Sequence, residues 1–371
     1  MLPRLDTLAI DASRVTVAAK TGTEWYSLEL ICALAALTER PELTLYLRDA
    51  QNADVLPVGV ERRLVRAPRL WTHAGLSSAM LRDRPGALFV PAHVIPAWHP
   101  RVSVVTVHDL GYLSEPGAHR SSSRRMLDWT TRWNARAARA VIAVSTQTRD
   151  DLLRHYGTPH DKVHVVYSGV DHTRFRVLER AAVDAVLAEA GVRRPFLLFL
   201  STVQPRKNVV RLVEAFEALS DDTLQLVIAG RAGWLSAPIE RRIAQSPARG
   251  RIVRLGHVPD ALVPALYNGA AAFALPSLYE GFGMGVLEAM ACGCPVVTST
   301  RSSLPEVAGE AAVLVDPTDV RGMREGLEHA LDPLLRPALV ASGLRRAAEF
   351  TWERTARATL AVIEDAWRDA R

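Results

Sequence analysis

The chain has 371 residues, 49% of them hydrophobic and 23% charged, with a formal net charge of +5. That is too long for one ordinary core and fits two domains of about 150 to 190 residues, and the abundance of Val, Ile, Leu and Ala excludes disorder for the bulk of it. The positive charge forms no dense run and no finger or RNP-like motif, so nucleic acid is not an expected partner, and no apolar run reaches the roughly 18 residues of a transmembrane helix. Lysine occurs three times, as Lys20, Lys162 and Lys207, in a chain that otherwise uses arginine. Cys32, Cys292 and Cys294 give neither a disulfide framework nor a zinc spacing and read as packed thiols. The opening MLPRLDTLAIDAS carries acids where a signal peptide has its apolar core, so a cytoplasmic protein is expected.

In chain order, apolar runs at 7–11, 43–47, 62–67, 87–91, 102–108, 140–145 and 163–168 read as strands, with helical patterns over 22–37, 122–138 and 146–156. A break follows near 170–194. The pattern then restarts with strands 196–201, 224–230, 252–256, 271–276, 295–299 and 312–316. Strands alternating with helices build parallel sheets from βαβ units. Doing so twice predicts an α/β chain of two doubly wound domains, 1–170 and 190–350, facing across a cleft. Helices follow at 319–331, 334–349 and 352–369, the last with Ala356, Leu360, Ile363 and Trp367 along one face.

Ligands of such sheets bind beyond the carboxyl ends of the strands, so the residues after each run are the ones to inspect. After 271–276 comes PSLYEGFGMGVLEAMACGCP, with Gly281, Gly283 and Gly285 on a turn entering a helix. Glycines let backbone approach a ligand, and a helix start suits a phosphate. Glu280 and Glu288 bracket this turn; carboxylates accept hydrogen bonds from sugar hydroxyls. Phosphate plus polyol is the chemistry of a nucleotide sugar. The same residues also fit a plain strand–helix turn with two surface acids. After 196–201, Gln-Pro-Arg206-Lys207-Asn208 offers two adjacent cations for a diphosphate, or a solvated basic turn. His108 ends strand 102–108 and suits hydrogen bonding to a phosphate or sugar, or proton transfer, or a structural pairing with Asp109. Gly22 stands at a helix start where Thr21 or Thr23 suits an N-cap.

Taken together, FALPSLYEGFGMGVLEAMACGCPVV, STVQPRKN, VIAVSTQTRDDLLRHYG with VVYSGVD, and KTGTEWYSLELICAL resemble the family-4 retaining glycosyltransferases of the GT-B fold, in the right order over nearly the whole chain. The resemblance implies two Rossmann-like domains, the first for the acceptor and the second for a nucleotide-diphosphate sugar, with a helix at about 352–371 packing back on the first. It implies that Glu280 holds the donor sugar. The backbone of Gly281, Phe282, Gly283, Met284 and Gly285 would face pyrophosphate and sugar, and Glu288 the ribose. Arg206 and Lys207 would neutralise the diphosphate, His108 and Gly22 would meet the donor from the first domain, and backbone at Val258 would hold the base. Many members carry a further arginine where this chain reads Leu200-Ser201-Thr202; Arg231 is the nearest substitute.

The implied reaction is transfer with retention, with the leaving phosphate taking the acceptor's proton. No Asp-x-Asp exists, so no metal site and no cofactor is expected, and the two cations with the helix start do the neutralising. GDP-mannose is favoured as donor, with a UDP-sugar as the alternative, and the acceptor is a saccharide or a lipid-linked one. A sugar-nucleotide epimerase and a non-catalytic sugar-nucleotide sensor are the rival readings. Residues 120–139 form a basic amphipathic stretch, with Met126, Trp129, Trp133 and Ala137 on one side and Arg125, Arg132, Arg136 and Arg139 on another. That fits peripheral contact with the inner face of an anionic membrane, or tryptophans packed inward beneath a solvated face.

Overall fold

The computed structural model describes residues 5–17, 20–67, 70–92, 94–115, 117 and 121–371. Residues 1–4 of the expected first domain and Arg120 of the basic stretch lie outside them. The strands are β1 (Thr7–Asp11), β2 (Glu42–Leu47), β3 (Glu61–Leu64), β4 (Ala87–Val90), β5 (Ser103–Val107), β6 (Ala140–Ala143) and β7 (Val163–Val165). Then come β8 (Phe196–Leu200), β9 (Gln225–Ala229), β10 (Ile252–Gly256), β11 (Ala272–Leu275), β12 (Val296–Ser299) and β13 (Val313–Val315). The helices to β10 are α1 (Gly22–Ala36), α2 (Ser77–Asp83), α3 (Gly111–Ser114), α4 (Ser121–Ala137), α5 (Thr146–Tyr156), α6 (Arg180–Glu189), α7 (Val209–Glu217) and α8 (Ala237–Ala244). The rest are α9 (Val263–Gly269), α10 (Met284–Ala291), α11 (Leu304–Ala308), α12 (Val320–Leu331), α13 (Arg336–Ala348) and α14 (Trp352–Arg368).

Two compact units result. The first takes Met1–Leu110, Ser122–Gly169 and Thr351–Arg371; the second takes Gly111–Ser121 and Val170–Phe350. The first holds a parallel sheet in the order β3-β2-β1-β4-β5-β6-β7, the second one in the order β10-β9-β8-β11-β12-β13. Both are Rossmann-like. The central strands are sealed on both faces: all of β4 and Phe196–Phe199 of β8 have no exposed surface. This explains their unbroken apolar runs, since helices cover both sides of such a sheet.

Strand order decides where a ligand can sit. In the first unit the chain runs β1, β2, β3 to one side and restarts at β4 on the other side of β1. In the second it runs β8, β9, β10 and restarts at β11 beside β8. Each restart leaves a crevice at the carboxyl ends of two adjacent strands. β3 is shorter and more polar than the 62–67 run, because it is an edge strand whose pairing with β2 ends at Leu47↔Leu64. The stretch 170–194 is not a bare linker: it contains α6, whose Val183 and Leu187 are buried and which packs on α9 within the second unit. α14 completes the first unit by packing on α1, and Thr355 Oγ1 donates to the Tyr167 carbonyl at 2.8 Å.

Candidate active site

In the second unit the crevice between β8 and β11 gathers the cationic turn and the Glu280 loop. Pro205–Lys207 makes a single tight turn after β8, closed by Asn208 in the left-handed region at φ 61. Asn208 Nδ2 donates to the Pro276 carbonyl at 3.0 Å and to the Pro317 carbonyl at 2.6 Å, and Leu278 N donates to the Arg206 carbonyl at 2.8 Å. These bonds tie the turn to the segment after β11. Arg206 Nη1 reaches Glu280 Oε2 at 3.0 Å and the Tyr279 carbonyl at 2.8 Å, while Lys207 Nζ donates to Glu280 Oε1. Ser277 Oγ donates to the same Oε1 at 2.7 Å. Burial alone pushes the Glu280 carboxyl up, but Lys207 and Arg206 outweigh it and hold it down at about 2. The carboxylate is therefore ionised at neutral pH and charge-paired, which is how an almost fully buried carboxylate and ammonium coexist.

Past Glu280 the backbone turns sharply. Gly283 has φ +104, a backbone conformation that strains any residue with a side chain, and a Cβ there would also press on Leu304 Cδ2 at 2.8 Å. It precedes Met284, the first residue of α10. Ser303 Oγ donates to the carbonyls of Glu280 and Phe282 at 3.0 and 2.9 Å, and Ser302 Oγ accepts from Glu280 N at 2.9 Å. Gly281 stands before α10, whereas Gly285 lies in its first turn. The Phe282 side chain is buried against Phe350, with ring centroids 6.1 Å apart, which leaves its backbone for the loop. Glu288, one turn into α10, accepts from Tyr267 Oη at 3.0 Å, and burial raises its carboxyl above the ordinary range. Val258 follows β10, two strands from β8, and lies outside this hydrogen-bonded cluster with its side chain buried.

Gly22 and His108 belong to the first unit. Thr21 is the N-cap of α1 and Gly22 its first residue; Glu24 closes a capping box by accepting from Thr21 N at 3.0 Å and pairs with Arg14 at 2.6 Å. His108 follows β5. Its Nε2–H donates to the Pro91 carbonyl at 2.8 Å, beyond the end of β4, and the Tyr26 ring stands edge-on to it at 4.7 Å. Burial lowers its pKa, so the ring is neutral at pH 7 with Nδ1 as an acceptor. Asp11, ending β1, is buried with Oδ1 accepting from Ser13 N at 2.9 Å and no hydrogen bond to Oδ2 among the described residues.

Two family models match the chain: Glycosyl transferases group 1 over residues 188–334 and Glycosyltransferase Family 4 over residues 21–174. O-antigen chain mannosyltransferase B of Escherichia coli is 30% identical over 364 residues, 92% of this chain and 95% of that protein. The chain belongs to the group 1, family 4 glycosyltransferases. Among solved structures, the glycosyltransferase is similar to sucrose-phosphate synthase of Thermosynechococcus elongatus, with TM-score 0.75, 20% identity, and 95% and 96% of the two chains covered. It is also similar to Anabaena HepE in complex with UDP-glucose, with TM-score 0.74, 17% identity, and 96% and 98% covered. These likenesses give the fold of this glycosyltransferase as GT-B.

Sequence reasoning missed Ser277, Ser302, Ser303 and Tyr267, the residues that orient the two glutamates of the glycosyltransferase. Ser201, where a further arginine was sought, directly follows β8, its backbone N donating to the Ala229 carbonyl at 3.1 Å. Arg231 lies after the adjacent β9, exposed, with its carbonyl accepting from Val203 N at 2.8 Å. Among the described residues no three His, Cys, Asp or Glu side chains come together as a metal-binding group. No described helix is long and apolar enough to cross a membrane.

Proposed function

We propose that this glycosyltransferase moves a hexose from a nucleotide-diphosphate sugar to a saccharide or lipid-linked acceptor, with retention at the anomeric carbon. The second unit is assigned the donor and the first the acceptor. The observation that carries the reading is the convergence of Arg206, Lys207 and Glu280 at the carboxyl ends of β8 and β11. Before the donor arrives, the carboxylate holds the two cations. A diphosphate entering over the glycine turn takes them over, and Glu280 is released to accept hydrogen bonds from sugar hydroxyls. The N-terminus of α10 adds its positive end. Glu288, kept in place by Tyr267, accepts from the ribose, and backbone near Val258 holds the base. Neutral His108 is assigned a hydrogen bond accepted at Nδ1 from a sugar hydroxyl, and Gly22 a backbone contact with the donor.

In the reaction the bond between the anomeric carbon and the phosphate oxygen breaks as the acceptor oxygen bonds to that carbon on the same face. The acceptor proton passes to the departing phosphate oxygen. The chain supplies positioning and charge neutralisation. Mannose carried by GDP is the preferred donor, in keeping with the E. coli mannosyltransferase, and a UDP-sugar is the alternative, in keeping with the UDP-glucose complex of HepE. α4 supports peripheral contact with the inner face of an anionic membrane, since Met126 and Trp129 are 67% and 59% exposed next to arginines.

The test is product analysis with GDP- and UDP-hexoses and a panel of acceptors. Wild-type protein is expected to give an α-linked product from an α-linked donor, read by NMR. Glu280→Ala and Lys207→Ala are each expected to lower kcat/KM at least a hundredfold while circular dichroism stays unchanged. Near-wild-type transfer by either variant, or nucleotide release without a glycosylated product, overturns the reading.

A further inference from the structure

The first unit has a second concavity, at the opposite ends of its strands from His108. It opens where the chain enters β4 and β5, beside the C-terminal ends of α2 and α14, and has a volume of about 440 Å³. That is within the range of roughly 300 to 1,000 Å³ typical of small-molecule sites. Along β5, about 3.3 Å per residue puts roughly 20 Å between Val102 at this pocket and His108.

Three arginines line it: Arg84, the left-handed C-cap of α2; Arg101, on the loop before β5; and Arg371, beyond α14. None of them makes an ion pair or a side-chain hydrogen bond among the described residues. This contrasts with a protein whose arginines are widely paired, as Arg63 and Arg82 are with Asp83 next door. The two helix ends each contribute about half a negative charge and the Arg371 carboxylate one more, which leaves a net positive charge from the three guanidinium groups. α2 also satisfies its own end through Arg84 N donating to the Met80 carbonyl at 3.0 Å, and Arg139 serves α14 by donating to the Asp369 carbonyl at 3.0 Å. Arg84 and Arg101 are therefore surplus to local structure, while Arg371 stacks on Trp367 with its N–H edges open.

Two indoles share the pocket. Trp367 is buried, with the Arg371 guanidinium 4.1 Å above its ring. Trp98 is 39% exposed, and its position is fixed by its backbone N donating to Ser77 Oγ at 3.1 Å. His99 is held by Nδ1 donating to the Pro100 carbonyl at 3.0 Å. A half-open indole on an anchored backbone, beside guanidinium groups without an ion pair, matches a ring with apolar C–H faces and an anionic substituent.

We propose that this pocket binds an anionic sugar, a pyranose ring carrying a phosphate or carboxylate. The ring lies on Trp98 and the anion is gripped by Arg84, Arg101 and Arg371. The site is separate from the donor crevice in the second unit and does not depend on the reaction assigned there.

The probes are glucose 1-phosphate and glucuronate, titrated at 0.15 M salt, with inorganic phosphate and glucose as controls. The readout is the tryptophan fluorescence change that Trp98→Phe abolishes. At least one anionic sugar is expected to bind tenfold or more tightly than either control. Arg101→Ala and Trp98→Ala, both at exposed positions, are expected to weaken it at least tenfold, with calorimetry following the latter. Lys207→Ala is expected to leave it unchanged, which separates this pocket from the donor crevice. Binding unaltered by Arg101→Ala, affinity equal to that of inorganic phosphate, or no binding at millimolar concentration overturns the proposal.

Discussion

Glu280 is ionised because two cations reach it; Asp11, also buried, has only the side chain and backbone N–H of Ser13 and the charge of Arg14 to set against desolvation. Their acid–base behaviour is opposite in sign. The Glu280 carboxyl falls from 4.5 to about 2 on folding. Its stabilisation, on the order of 3 kcal/mol, is full above about pH 4.5 and is lost as pH falls toward 2. Glu280→Gln also leaves Lys207 and Arg206 buried without their counter-charge. The variant is expected to be less stable than wild type at pH 7, with the gap closing as pH drops below 4, measured by denaturant unfolding. A gap that stays constant with pH would contradict the pairing. Burial raises Asp11 from 3.8 to about 6. Between those values the unfolded chain has released a proton that the fold retains, so stability declines as pH rises, levelling at a cost of ~3 kcal/mol. Asp11→Asn is expected to raise Tm more at pH 8 than at pH 4; an equal effect at both pH values would exclude an ionisation cost.

At the scale of elements, the loop from Pro276 to α10 was legible because its parts are close in sequence and each has a distinctive residue. A glycine turn, a helix start and acids at fixed spacing survive without coordinates. The cationic turn was legible for the same reason, and its lysine stood out in an arginine-rich chain. The supports were not legible. Tyr267 reaches Glu288 from α9 and Ser303 reaches the Glu280 carbonyl from the start of α11, each more than 20 positions away. A serine or tyrosine carries no spacing signature, so only the packing of helices around the sheet reveals it. α4 shows a different shortfall. Its helical period is real, but the face turned inward is Thr130, Thr131, Asn134 and Ala135, with Asn134 Oδ1 and the Trp133 indole both bonded to the backbone of Ile95. Trp133 is half-buried while Trp129 and Met126 face out, so hydrophobicity alone misplaced the buried side. If the outward face meets lipid, the protein is expected to float with vesicles containing anionic lipid and not with neutral ones. Trp129→Glu is then expected to reduce flotation at least tenfold; flotation unchanged by the substitution would remove α4 from that role.

For the whole molecule, the thirteen apolar runs read as strands all appear, because parallel strands buried on both faces are hydrophobic throughout and short. What apolar pattern alone could not supply was their order across each sheet, which puts β4 beside β1 and β11 beside β8 and so creates the two crevices. Nor does local pattern say that a unit is made of separated pieces. α14 buries Leu360, Val362, Ile363 and Trp367 in the first unit. At about 1.5–3 kcal/mol for each fully buried large side chain, its removal costs as much as a domain's entire stability. A chain ending at Phe350 is expected to lose the calorimetric transition of the first unit and to yield, on limited proteolysis, a resistant fragment beginning near Val170. Two retained transitions would show that α14 is dispensable.

That interrupted first unit has a consequence for biosynthesis. The ribosome delivers residues up to Gly169, then 181 residues of the second unit, and only then α14. At about 5–20 residues per second, roughly 10 to 35 seconds pass before the helix that packs on α1 emerges. During that interval the surface awaiting Ile363 and Trp367 is open to water and to other nascent chains. The later-made unit thus has all its parts first, and the earlier-made one is the natural client for a holding chaperone.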